Sequence, residues 1–215
     1  MKLIAMVRNI LGRLQSGAVM AEIFSATVRL AGLAFALASL VFWFETWKSV
    51  SAMEGGAVLG DYVAQVIVLA GFGLTTLIFW IRGGDIRQSA VPDFSVLPAV
   101  VVLLRMLGEV YASVTATVIL PLTVMRVVVA DGVGFEQKFK AFALLRQGFE
   151  AFAGIASSPS DSEFLLAAKL IVAGLMGSVF WLALFYGMAE SLNLSLTIAK
   201  STRSTHEILE QRLPS

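Results

Sequence analysis

From Tyr62 to Ile81 the chain runs twenty residues without one charged side chain, and from Leu170 to Ala189 it does so again. An α-helix rises about 1.5 Å per residue, so about 20 residues cover the roughly 30 Å of hydrocarbon in a bilayer. A shorter run, Ala31 to Phe44, lies between Arg29 at one end and Trp43, Trp47 and Lys48 at the other, the residue types that sit at membrane interfaces. Lipid offers no partner to backbone N–H and C=O groups, so such runs are expected to close their own hydrogen bonds as helices. Composition points the same way. The 215 residues are 58 % hydrophobic and 14 % charged, against about 45–50 % and about 25 % in a soluble domain. A water-soluble chain of this length would lack the polar residues to coat its exterior.

Several classes of function find no support in these residues. The net charge of +1 supplies no basic field for nucleic acid. With no cysteine there is no disulfide, thiolate metal site or cysteine nucleophile. The single histidine, His206, lies in a polar tail with Glu207 and Glu210 nearby but no second nitrogen or sulfur ligand. Hydrolase, nucleotide-loop and zinc-protease motifs are missing, so no catalytic, cofactor or metal residue is expected.

Along the chain, residues 1–22 place Lys2, Arg8 and Arg13 among apolar residues spaced by three and four, predicting an amphipathic helix. Arg8 and Arg13 interrupt what could be a signal-peptide core, so this segment is expected to be retained. A transmembrane domain over 23–199 follows, with spans at about 29–47, 62–82, 105–126 and 170–190. Gly83 to Arg87, with Pro92-Asp93, predicts a polar turn. The tract Phe94–Ala130 is too long for one straight crossing and allows two registers. A span over 97–118 would bury Arg105 and Glu109 near its middle, where a charge costs at least about 2.5–3.5 kcal/mol. The register 105–126 avoids that cost, and leaves Phe94–Leu104 as an interfacial segment and Pro121 as a kink site. Between the last two spans, Phe139, Phe142, Phe149 and Phe152 share one helical face, predicting a surface helix over about 136–153. Ser160 or Asp161 is the expected cap of the last span, and residues 200–215 form a helical cytoplasmic tail.

The fold expected is therefore an all-α, polytopic integral membrane helical bundle of about four transmembrane helices plus amphipathic surface helices. An even number of spans puts both termini on one side. Basic residues favour the termini and the second connection, which places them in the cytoplasm, with a bacterial inner membrane as the host; the basic third connection argues against that orientation. Small residues at Gly32, Ala36, Gly71, Gly73, Gly174 and Gly177 offer helix-packing positions. Arg105, Glu109, Glu190 and Asn193 form the candidate intramembrane polar site, since Arg105 and Glu109 are one turn apart and can meet on one face. The expected role is a non-enzymatic structural or assembly subunit, its partners the lipid bilayer and other membrane subunits or further copies of itself. The alternative is a small channel or proton- or ion-coupled transporter that uses Arg105, Glu109 and Glu190.

Overall fold

A computed structural model describes residues 18–50, 56–89, 96–129 and 162–212. They form four helices, α1 Ala18–Val50, α2 Gly56–Gln88, α3 Val96–Val129 and α4 Glu163–Arg212. The first three have 33, 33 and 34 residues and α4 has 50, which makes them about 50 Å and about 75 Å long. Each is long and apolar enough to cross a membrane, and the described residues contain no strand. The chain is an all-α, multi-pass membrane protein.

The distribution of polarity is that of a protein solvated by lipid. Buried side chains include Ser25, Ser39, Thr46, Gln65, Thr75, Ser113, Thr117 and Thr123, while Leu30, Leu37, Val41 and Phe44 of α1 and Leu175, Met176, Val179 and Phe180 of α4 face outward. In water such an apolar exterior would drive aggregation. Against acyl chains it has no cost, and hydrogen bonds and close packing hold the helices together instead.

Successive helices pack antiparallel, α1 on α2, α2 on α3 and α3 on α4. Helix α1 meets α3 only marginally, and the backbones of α1 and α2 do not approach α4. The bundle is thus an open row, not a closed square. Its apolar cores are small and lie in the seams: Ala64, Val68, Val118 and Leu122 between α2 and α3, and Val101, Ala189 and Leu196 between α3 and α4. Glycines let the backbones come close. A Cβ at Gly32 would lie 2.6 Å from Phe79 Cβ, one at Gly71 would lie 2.7 Å from Thr117 Cβ, and one at Gly174 would collide with Ile119. These three therefore sit in the α1–α2, α2–α3 and α3–α4 seams in turn. Gly177 is buried and Ala36 half-buried. Gly73 differs from the expectation: it is exposed, with nothing within 4 Å of its Cβ position. Two residues turn a helix by about 200°, so Gly73 faces away from the seam that Gly71 occupies.

Other boundaries also moved. Gly83 to Arg87, expected as a turn, are helical and belong to α2. The continuation is held by Ile86, which is fully buried in a cluster with Val28, Ala99 and Met106. Leu97 to Leu104 are not a separate interfacial segment but the first turns of α3, where Ala99 and Val101 are buried against neighbouring helices. Ser162 caps α4, its Oγ accepting from Leu165 N at 3.3 Å. Helix α4 continues unbroken through the predicted tail to Arg212. Of the predicted N-terminal helix only residues 18–22 are described, and they open α1; the rest, with Ser160, Asp161 and the surface helix over 136–153, lies outside the described residues.

Candidate functional site: an ionic seam across three helices

Helices α3 and α4 run antiparallel, and each brings two polar residues one turn apart to the same level. Arg105 and Glu109 face α4; Tyr186 and Glu190 face α3. The register sets Arg105 against Glu190 and Glu109 against Tyr186, and both pairs are in contact. From the other flank of α3, the last turns of α2 deliver Arg82. It binds Glu109 through two donors, with Nε 2.8 Å from Oε2 and Nη2 on Oε1. Its Nη1 holds Asp85 at 2.7 Å, and Nη2 also reaches the Tyr186 hydroxyl at 3.2 Å.

Tyr186 joins the two ion pairs. Its hydroxyl donates to Glu109, and its ring lies under the Arg105 guanidinium, 5.7 Å from CZ to the ring centroid. Arg105 and Glu109, expected to meet each other, are therefore each taken by a residue of a neighbouring helix. An interhelical partner completes a planar two-donor fork on the carboxylate, which a same-helix i,i+4 contact does not offer as readily. Burial separates the two pairs. The side chains of Arg82 and Glu109 are 21 % and 20 % exposed, those of Arg105 and Glu190 30 % and 55 %. Asn193 is exposed on α4, its carbonyl accepting from the Thr197 hydroxyl at 3.0 Å.

Toward the apolar middle of the molecule the α2–α3 seam carries neutral hydrogen bonds. Thr75 and Ser113 share a 2.8 Å bond, and Thr75 also donates to the Gly71 carbonyl at 2.9 Å. Farther along, Thr46 of α1 donates to Gln65 Oε1 at 2.9 Å, and Trp43 Nε1 donates to the Gln65 carbonyl at 3.2 Å. The ordering is what desolvation requires, with charge at the end of the apolar stretch and hydroxyl and amide groups within it.

Three donors converge on the Glu109 carboxylate. Grooves among the described residues include one between α1 and α2, one along α4 from Ala183 to Leu192, and one of about 130 Å³ between α3 and α4 beside Gly174. None of these three is lined by Arg82, Arg105, Glu109 or Glu190. Among the described residues no three His, Cys, Asp or Glu side chains come together as metal ligands.

Three members of the seam escaped sequence reasoning. Arg82 was expected only to end a span, Asp85 to lie in a turn, and Tyr186 carried no expectation at all. The available signal was the spacing: Tyr186 and Glu190 repeat the one-turn interval of Arg105 and Glu109, as two antiparallel helices in register must. No protein-family model matches the chain, and no curated protein or solved structure matches it.

Proposed function

We propose that this protein is a non-enzymatic assembly subunit of a membrane complex, resident in a bacterial inner membrane with both termini in the cytoplasm. The observation that carries the reading is the open row: α1 and α4 do not meet, so each keeps an outward apolar face that no described residue covers. On α4 that face includes Ala183, Gly187 and Ser191 at four-residue intervals, and no described residue lies within 4 Å of the Gly187 Cβ position. Small residues at that interval let another helix approach closely. The basic residues Arg29, Arg82, Arg87, Arg105, Lys200 and Arg203 at one end of the row support the cytoplasmic assignment of that end.

Channel or ion-coupled transport through Arg105, Glu109 and Glu190 would need one continuous polar path that runs past all three and across the membrane. The pairing of Glu109 with Arg82 and of Arg105 with Glu190, and the absence of these groups from the linings of the grooves described above, favour a structural role instead. The test is native mass spectrometry of the full chain purified from its own membrane in mild detergent, beside ion flux in liposomes. A complex of defined stoichiometry that Gly187→Leu dissociates, without unfolding the chain, is the expected result. A lone chain that conducts ions and falls silent with Glu109→Gln would overturn the reading.

A further inference from the structure

Two residues along α2 from Arg82, Trp80 points to nearly the opposite side of the helix. There α1 and α2 leave a groove of about 610 Å³ whose lining includes Arg29, Arg87, Trp80, Leu30, Leu33 and Glu22. Gly83 makes room for it, since a Cβ at that position would lie 2.8 Å from Arg29 Cγ. The Arg29 guanidinium rests on the Trp80 ring, 5.2 Å from its centroid, and its buried Nε has no hydrogen-bond partner among the described residues. Neither Arg29 nor Arg87 belongs to an ion pair among the described residues. The Nε faces Gly83, so it is the two outer nitrogens of the guanidinium, held against an aromatic face and outside any ion pair among the described residues, that are suited to a phosphate oxygen.

The groove lies where lipid phosphates lie. Trp47 lies 18 positions after Arg29 and Trp80 lies 18 positions after Tyr62, about 27 Å of helix in each case, close to the roughly 30 Å of a hydrocarbon core. Trp47 and Tyr62 meet edge to face at the far end, ring centroids 5.3 Å apart, so the two helices are in register there. Arg29 and Trp80 consequently mark the opposite interface. On the hydrocarbon side of Arg29, Leu30 and Leu33 are 65 % and 52 % exposed and offer a bed for acyl chains. On the outer side, Glu22 stands seven residues from Arg29, about 10 Å along α1. Two guanidinium groups against one carboxylate leave the groove net positive.

We infer that this groove binds an anionic phospholipid of the surrounding membrane. Its phosphodiester is accepted by Arg29, its acyl chains lie along Leu30 and Leu33, and its headgroup ends between Arg87 and Glu22. The site uses only the bilayer-spanning fold and stands whether or not the chain assembles with others.

The experiment is native mass spectrometry of the purified full chain titrated with phosphatidylglycerol, phosphatidylethanolamine and phosphatidylcholine of matched acyl chains. Phosphatidylglycerol is expected to be retained over phosphatidylcholine by roughly fivefold or more, the effect of about one interfacial arginine. Arg29→Gln removes that preference. Arg105→Gln, an equal loss of charge in the seam between α3 and α4, keeps it. Glu22→Gln raises retention, a gain that misfolding does not produce. Equal retention of all three lipids, an unchanged preference in Arg29→Gln, or the same loss in Arg105→Gln overturns the site. So does preference for phosphatidylethanolamine that Glu22→Gln lowers, since that marks a zwitterionic headgroup.

Discussion

Two arginines close to one level of the row, Arg29 and Arg82, face opposite sides of α2 and meet opposite fates. Arg82 turns into the seam, where Glu109, Asp85 and Tyr186 engage all three of its nitrogens. Arg29 turns outward onto Trp80 and keeps an unpartnered Nε. Both are ordinary interfacial arginines by sequence position. What separates them is the neighbouring helix: α3 presents a carboxylate to one, while the groove leaves the other an aromatic face and open space. The first is committed to holding helices together, and the second is left to hold something else.

The sharpest way to break this contrast is to remove the acid on the closed side. Glu109→Leu leaves Arg82 with Asp85 on its own helix as its one acidic partner beside the Tyr186 hydroxyl, in a site where its side chain is 21 % exposed. Opening a buried ion pair costs about 3–5 kcal/mol, and the remaining Asp85 contact puts the expected loss near the lower end, at about 3 kcal/mol. Reversible unfolding in mixed detergent and lipid micelles measures it. The double change Arg82→Leu with Glu109→Leu should recover most of the loss, because it is the stranded charge that costs. No recovery would mean the pair is worth more than its desolvation.

A second contrast lies within one helix. Gly71→Ala drives a methyl against Thr117 Cβ, a branched position that cannot swing away, so a loss of about 1–3 kcal/mol is expected. Gly73→Ala meets nothing within 4 Å and should be neutral or stabilising by up to about 1 kcal/mol, from helix propensity alone. Equal effects in the same unfolding assay would show that the α2–α3 seam is not where these helices meet.

These contrasts mark how far the sequence could be read. Four helices of membrane-spanning length were legible because an unbroken apolar run such as Tyr62–Ile81 has few other ways to be solvated. Their ends were not, since Gly83 and Gly84 resemble a turn until Ile86 is seen buried against α1. Gly71 and Gly73 look alike in the chain, and only the direction of α3 tells them apart. Glu109 stood out as a charge in an apolar tract, yet its partner lies 27 residues away on α2 and 77 away on α4. Spacing along one helix suggested Arg105 as that partner. Pairing between helices depends on register, which a single sequence does not encode locally.

The neutral part of the α2–α3 seam should respond more weakly than the ionic part. Thr75→Val removes the bond to Ser113 and keeps the branched shape, and hydrogen bonds between membrane helices are worth about 0.6 kcal/mol on average. A loss of several kcal/mol would mean that Ser113 cannot find another partner, although the Gly71 carbonyl lies 3.5 Å from its Oγ.

The smallest effect belongs to the second ion pair. Arg105–Glu190 repeats the chemistry of Arg82–Glu109, but the Glu190 side chain is 55 % exposed. Exposed pairs gain little, because water already solvates both charges and salt screens what attraction remains. Glu190→Gln should therefore cost about 0.3 kcal/mol, and that should vanish at high ionic strength. Glu109→Gln in the same assay gives the matched comparison, in which the larger loss at Glu109 reflects its lower exposure and its additional donors. A salt-independent loss as large as that of Glu109 would place Glu190 in a dry environment, supplied by a partner covering the exposed side of α4.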